Sequence, residues 1–213
     1  MAAGARGGVS VRRLGGDRAG EIRIGRFLRN AAVTPEEMLA TSFARTEAAC
    51  AGRDILAVQD TTSTRPAPEG GCGSFLHAMI AVDAATGAVL GPLDATFLER
   101  VGGGKASRLD RAFEARQSVR WLTAMRTAAA IRGAARVTVV ADREADMVEP
   151  FARRPAPVEL VVRMLHDRAL ADGGRLAAAI AAGPCLGHAG LDLPAGQRTP
   201  ARTARLAIRF GRL

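Results

Sequence analysis

VTVVADREADMVEPF, residues 137 to 151, decides how the chain reads. Val137, Val139 and Val140 are β-branched residues that suit a pleated core strand, so Asp142 falls where the carboxyl end of that strand meets solvent. Open α/β sheets place their chemistry at that edge. A plainer reading also fits: Asp142 caps a following helix over 144 to 153, with Glu144, Asp146 and Glu149 as its wet face.

Upstream, ILAVQD (55 to 60) is a compact apolar strand ending on Asp60. A loop rich in Pro and Gly separates it from FLHAMIAVDAATGAVLGPLDATFLE, which reads as two strands, roughly 76 to 83 and 88 to 98, joined by a turn at Thr86-Gly87. The economical arrangement is a three-stranded antiparallel meander. The next segment, VGGGKAS, is not a phosphate-binding loop, because Glu99 and Ala106 stand where that loop needs its first glycine and its hydroxyl. Ser107 and Asp110 instead cap a long helix ending near Gly133, with Leu109, Phe113, Trp121, Leu122 and Met125 as its core stripe. After the 137 to 142 strand and the short helix comes another strand, PVELVVRML, giving the order β-β-β-α-β-α-β. Further on, RLAAAIAAG reads as a helix, and two strands flank an arginine-rich turn. Towards the N-terminus, Thr34, Pro35 and Glu37 open a helix running to about Cys50. Residues 1 to about 25 are rich in Gly and Arg without a helical or strand period and are expected to lack fixed structure.

Composition narrows the function classes. With 213 residues the chain is long enough for one domain with a real core, or one domain and an appendage. The net charge of +9 points to a polyanionic partner, although Lys105 is the only lysine and the arginine excess matches a general bias towards Ala, Gly and Arg. Cys50, Cys72 and Cys185 are odd in number and form no CxxC pair, so neither a disulfide framework nor a zinc site is indicated. His77, His166 and His188 share no ligand spacing. No apolar stretch reaches membrane-spanning length, and the N-terminus lacks the apolar core of a secretory signal, so a soluble cytoplasmic protein without membrane contact is expected.

The strand order brings the two aspartates together. After an antiparallel meander, a crossover helix lays the fourth strand parallel beside the first, setting Asp60 next to Asp142. Two carboxylates roughly 4 Å apart at an effective dielectric of 20 repel by about 4 kcal/mol unless a cation lies between them. Hard oxygen donors of this kind suit Mg²⁺ or Mn²⁺.

DTTS at 60 to 63 after ILAVQ, and DREADM at 142 to 147 after VTVVA, resemble the first two catalytic blocks of the bacterial DDE transposases of the insertion sequence 4 family. RFLRNAAVTPEEML resembles that family's segment before the first aspartate, ARQSVRWL its crossover helix, PVELVVRMLHDR the strand after the second aspartate, and RTPARTARLAIRFGRL its β-rich insertion. The resemblance implies an α/β fold with an RNase H-like core, a mixed sheet of three antiparallel strands and then parallel ones. Its implied parts are a remnant of an N-terminal DNA-binding region at 26–54, a partial core at 55–165 and the start of the insertion at 166–213. It further implies that Asp60 and Asp142 are the catalytic, Mg²⁺- or Mn²⁺-holding residues of a cut-and-paste enzyme. Such an enzyme hydrolyses phosphodiesters at transposon ends in double-stranded DNA and then transfers the freed strand. Arg163 is the main candidate phosphate contact, with Arg26, Arg29, Lys105, Arg108, Arg116 and Arg120 as further DNA-facing candidates.

The family's third acid lies in a YREK-type segment after the insertion, and Glu159, Asp167, Asp172 and Asp192 do not sit in that context. The expectation is therefore a truncated member, inactive alone, nucleoid-associated, and able to pair with itself or with a full-length enzyme. The alternative is a non-catalytic DNA-binding protein that poisons dimers of a full-length transposase. A phosphohydrolase using Asp60 as nucleophile would need an aspartate two places on, where Thr62 stands.

Overall fold

The computed structural model describes residues 10–63, 74–99, 119–196 and 199–209. The chain forms two compact units, Met1–Arg163 and Met164–Leu213. In the first, strands β1 (Asp54–Ser63), β2 (Ser74–Asp83), β3 (Val89–Glu99), β4 (Arg136–Ala141) and β5 (Val158–Val162) make one sheet in the order β3-β2-β1-β4-β5. The β1–β2 and β2–β3 pairs are antiparallel, whereas β1–β4 and β4–β5 are parallel. The meander and the parallel return of the fourth strand are thus as the sequence predicts. One boundary differs: β1 does not stop at Asp60 but runs on to Ser63, because β2 keeps pairing with it as far as Ser63↔Phe75.

Alternation along these strands separates two faces. Ile55, Ala57 and Gln59 on β1, His77, Met79 and Ala81 on β2, and Val137 and Val139 on β4 are buried on one face. Helix α4 (Val119–Ala129, within the described residues) lies against that face through Trp121, Leu122, Ala124, Met125 and Ala128. Trp121, Leu122 and Met125 are core residues as expected, whereas Leu109 and Phe113 lie outside the described residues. The opposite face carries Leu56, Val58, Ile80, Phe97, Val140 and Val161, all partly or fully exposed.

Helix α3 (Pro35–Ala49) starts as its sequence directs: the Thr34 side chain accepts the Glu37 N–H at 3.2 Å with Pro35 in the first turn. It lies along β3. There Gly91 has φ 150°, and a Cβ at that position would collide with the buried Thr46 hydroxyl.

The N-terminal segment differs from expectation. Residues 11 to 28 are not irregular but form α1 (Val11–Gly15) and α2 (Arg18–Leu28), the latter capped by Asp17, whose carboxylate accepts the Gly20 N–H at 2.6 Å. The glycines that resembled disorder are what let the helices touch, since a Cβ at Gly20 would strike the Gly15 carbonyl. The expected boundary at 25/26 therefore falls inside α2.

The helix expected over 144 to 153 is likewise broken, into a 3₁₀ turn (Arg143–Ala145) and α5 (Val148–Ala152). In one continuous helix Pro150 would leave the Asp146 carbonyl without its donor and crowd it with the ring, whereas in the first turn of α5 proline is tolerated. The second unit contains α6 (Leu176–Ala182) and a separate antiparallel ribbon of β6 (Cys185–Leu193) and β7 (Arg202–Arg209). Among the described residues no helix is long and apolar enough to cross a membrane.

The contact of α3 with β3 yields a first prediction. Gly91→Ala should lower unfolding stability by about 1–3 kcal/mol in urea titration, through overpacking and an unfavourable φ. Adding Thr46→Ala should recover part of the loss, so that the double mutant is more stable than the sum of the single effects.

Candidate metal and DNA site

The two aspartates come from adjacent parallel strands. The β1–β4 register runs from Asp54↔Arg136 to Gln59↔Ala141, which makes Asp60 and Asp142 the next pair. Asp142 remains extended, with φ −79° and ψ −173°, so the alternation continues through it. Gln59 and Ala141 are buried on the α4 face, so Asp60 and Asp142 both emerge on the other face, Asp60 exposed and Asp142 half-buried. Neighbouring strands lie about 4.8 Å apart, so one strand spacing separates the backbones at these two positions.

Each carboxylate is oriented by a backbone N–H close by in sequence. The Thr61 N–H donates to Asp60 Oδ1 at 2.8 Å, and the Glu144 N–H donates to Asp142 Oδ1 at 2.8 Å. Asp142 thus caps the 3₁₀ turn, as the plainer sequence reading has it. The cap uses one carboxylate oxygen; the other has no protein partner among the described residues.

Arg163 follows the last β4–β5 pair, Ala141↔Val162, and its N–H donates to the Ala141 carbonyl at 3.2 Å. Val158, Leu160 and Val162 turn towards the core. The alternation assigns exposed Arg163 to the same face as Asp60 and Asp142, giving a row of two carboxylates and a guanidinium-bearing residue across three strands.

The other basic candidates divide. Arg26 and Arg29 are exposed at the end of α2, and Arg29 borders a shallow cavity with Arg18 and Glu21. Lys105, Arg108 and Arg116 lie outside the described residues. Arg120, read above as DNA-facing, has a side chain only 14% exposed. Its Nε–H donates to Thr61 Oγ1 at 3.0 Å, a terminal nitrogen pairs with Glu144 at 3.2 Å, and the guanidinium carbon lies 5.4 Å from the Trp121 ring centre.

Half-buried Thr61 and buried His77 and Gln59 form a polar chain that the sequence reading missed. Thr61 Oγ1 lies 2.9 Å from His77 Nδ1, and His77 Nε2 lies 3.2 Å from Gln59 Oε1. The tautomer decides which atom donates: a ring protonated at Nε2 accepts the Thr61 O–H at Nδ1 and donates to Gln59 Oε1, while Thr61 Oγ1 also accepts from Arg120. The His77 ring meets Trp121 edge-on, with centroids 4.7 Å apart. Burial, and then the nearby Arg120 charge, lower the His77 pKa to about 4. Gln59 Nε2 is buried without a partner among the described residues.

The donor set suits a hard cation only in part. Two carboxylates in register on an open face are the right chemistry for Mg²⁺ or Mn²⁺, but no group of three or more His, Cys, Asp or Glu residues that could hold a metal occurs among the described residues. No protein-family model matches the chain, and no curated protein matches it.

His77 gives a pH prediction. The unfolded chain takes up a proton near the ordinary 6.5 and the folded chain only near 4, so the His77 contribution to stability is fully present above 6.5 and is lost as pH falls towards 4. The melting temperature should accordingly fall between pH 7 and pH 4.5, and fall less in His77→Gln. NMR of the ring should show no titration of His77 between pH 5.5 and 8.

Proposed function

We propose that this chain is part of a metal-dependent DNA transposase of the insertion sequence 4 family, built on an RNase H-like core, in which Asp60 and Asp142 share Mg²⁺ or Mn²⁺. The observation that carries the reading is the placement of these two aspartates as the next register pair of parallel β1 and β4, on one face. DTTS and DREADM, the segments that resemble the family's first two catalytic blocks, are the segments that supply them.

Divalent ions bound there would supply Lewis-acid stabilisation and a water of lowered pKa for attack on a phosphodiester. The protein's own part is positional. The Thr61 and Glu144 N–H groups fix one oxygen of each carboxylate and leave the other for a cation. Arg163, on the same face, would meet the non-bridging oxygens of a phosphate, with Arg26 and Arg29 contacting the backbone of double-stranded DNA elsewhere. Lys105, Arg108 and Arg116 extend that proposal to the segment before α4. The cellular setting we propose is the cytoplasm, at the nucleoid, with the chain pairing with itself or with a longer transposase.

With two acids rather than three among the described residues, cleavage by this chain is weak. The same observation favours a second reading, a DNA-binding protein without catalysis that competes with a complete transposase.

Nicking of supercoiled plasmid separates the two. The transposase reading expects slow Mn²⁺-dependent nicking that drops to the metal-free background in Asp142→Ala and in Asp60→Ala. Equal nicking by wild type and Asp142→Ala rejects it. Absence of nicking together with DNA binding that weakens steeply with salt supports the competitor. Arg163→Ala should weaken binding similarly for all sequences and reduce the salt slope by about one phosphate contact.

A further inference from the structure

The two aspartates are connected through one side chain. Starting from Asp60, Oδ1 accepts the Thr61 N–H at 2.8 Å, Thr61 Oγ1 accepts the Arg120 Nε–H at 3.0 Å, the Arg120 guanidinium donates to Glu144 Oε2 at 3.2 Å, and the Glu144 N–H donates to Asp142 Oδ1 at 2.8 Å. The path leaves β1 on the core face, passes through α4, and returns to the turn after β4. Arg120 is therefore bonded to the residue after one aspartate and to the residue two after the other.

We propose that Arg120 is a positioning residue that fixes Asp60 and Asp142 relative to each other, with Thr61 and Glu144 as its two anchor points. The proposal rests on the reading of Asp60 and Asp142 as a shared metal site. Asp60 stays paired with Ala78 of β2, but the β1–β4 register ends at Gln59↔Ala141, just short of the aspartates, so pairing between these two strands does not itself join them. Beyond it, the Arg120 link joins Thr61 of β1 to the turn that follows β4. A planar guanidinium suits the task, since its Nε and terminal nitrogens donate in a fixed fork to two acceptors at once, which an ammonium does not reproduce.

The surroundings keep this link in one arrangement. Arg120 lies over Trp121, while the Thr61 hydroxyl is held from beneath by His77, itself packed edge-on against Trp121 and bonded to Gln59. Thr61 is thus placed by both its neighbours, and its N–H presents one geometry to Asp60. Partners of metal-ligating carboxylates act in this way, and losing one typically reduces metal affinity about 10–100-fold.

The test measures Mn²⁺ affinity from the free-ion electron paramagnetic resonance signal, titrated into the millimolar range on the purified chain. Thr61→Val, which keeps the β-branched shape and removes the hydroxyl, and Glu144→Ala, at a side chain 60% exposed, should each weaken binding about 10–100-fold. Thr61→Ser should restore it. Arg120→Met should match the larger of the two losses. Near-UV circular dichroism of Trp121, the single tryptophan, establishes that each variant is folded; if Arg120→Met is not, Thr61→Val and Glu144→Ala carry the test. Wild-type affinity in both of these, with binding lost in Asp142→Ala, overturns the positioning role and leaves the metal site standing. Tighter binding in folded Arg120→Met, as a merely repelling cation would give, also overturns it. If Asp142→Ala binds Mn²⁺ as well as wild type, the metal reading falls and the positioning role falls with it.

Discussion

The parallel pairing of β1 with β4 is the constraint on which the rest of the molecule depends. It is a long-range contact, made only after a meander and a crossover have been completed, and its register decides which side chains meet. A slip of one residue would turn Asp142 into the core and Ala141 out of it. Packing opposes that slip: Val137 and Val139 fill the space under α4 beside Ile55 and Ala57, where a carboxylate would be buried without a partner. The apolar face of the sheet thereby fixes the position of the polar residues on the other face.

Behind Asp60, the core carries polar groups beside the apolar cluster of Trp121, Ala141 and Ala145. Gln59, Thr61 and His77 occupy positions that further along the same strands are filled by Ala57, Met79 and Ala81. Burying such groups costs free energy unless they bond to one another, which all three do, apart from the unpartnered Gln59 amide. An apolar cluster of the same shape would stabilise the fold at least as well. A polar cluster located beneath Asp60 adds direction, because hydrogen bonds fix orientation where apolar contacts fix only volume.

Much of this could be read in the sequence, for identifiable reasons. The strands and their order follow from β-branched alternation and turn glycines, and they place Asp60 beside Asp142 before any coordinates are considered. The N-terminal helices could not be read, since Gly15 and Gly20 look like breakers until two helices are known to cross there. The break before α5 was legible in principle, because Pro150 sits where a continuous helix needs an N–H. His77 looks like one scattered histidine among three, and becomes informative only through the register that sets it opposite Thr61. Arg120 was misplaced for a related reason: on a helix face, a charge bound for solvent and one aimed at a strand end look alike until the packing of α4 is known.

The central claim is that Asp60 and Asp142 stand side by side on one face and hold a divalent cation between them. Crystals of the protein soaked in Mn²⁺ and measured for anomalous scattering test it directly. A peak bounded by oxygens of both carboxylates, at distances of roughly 2.0–2.2 Å, is the expected result. Carboxylates on opposite faces of the sheet, or Mn²⁺ found only at other positions, would contradict it.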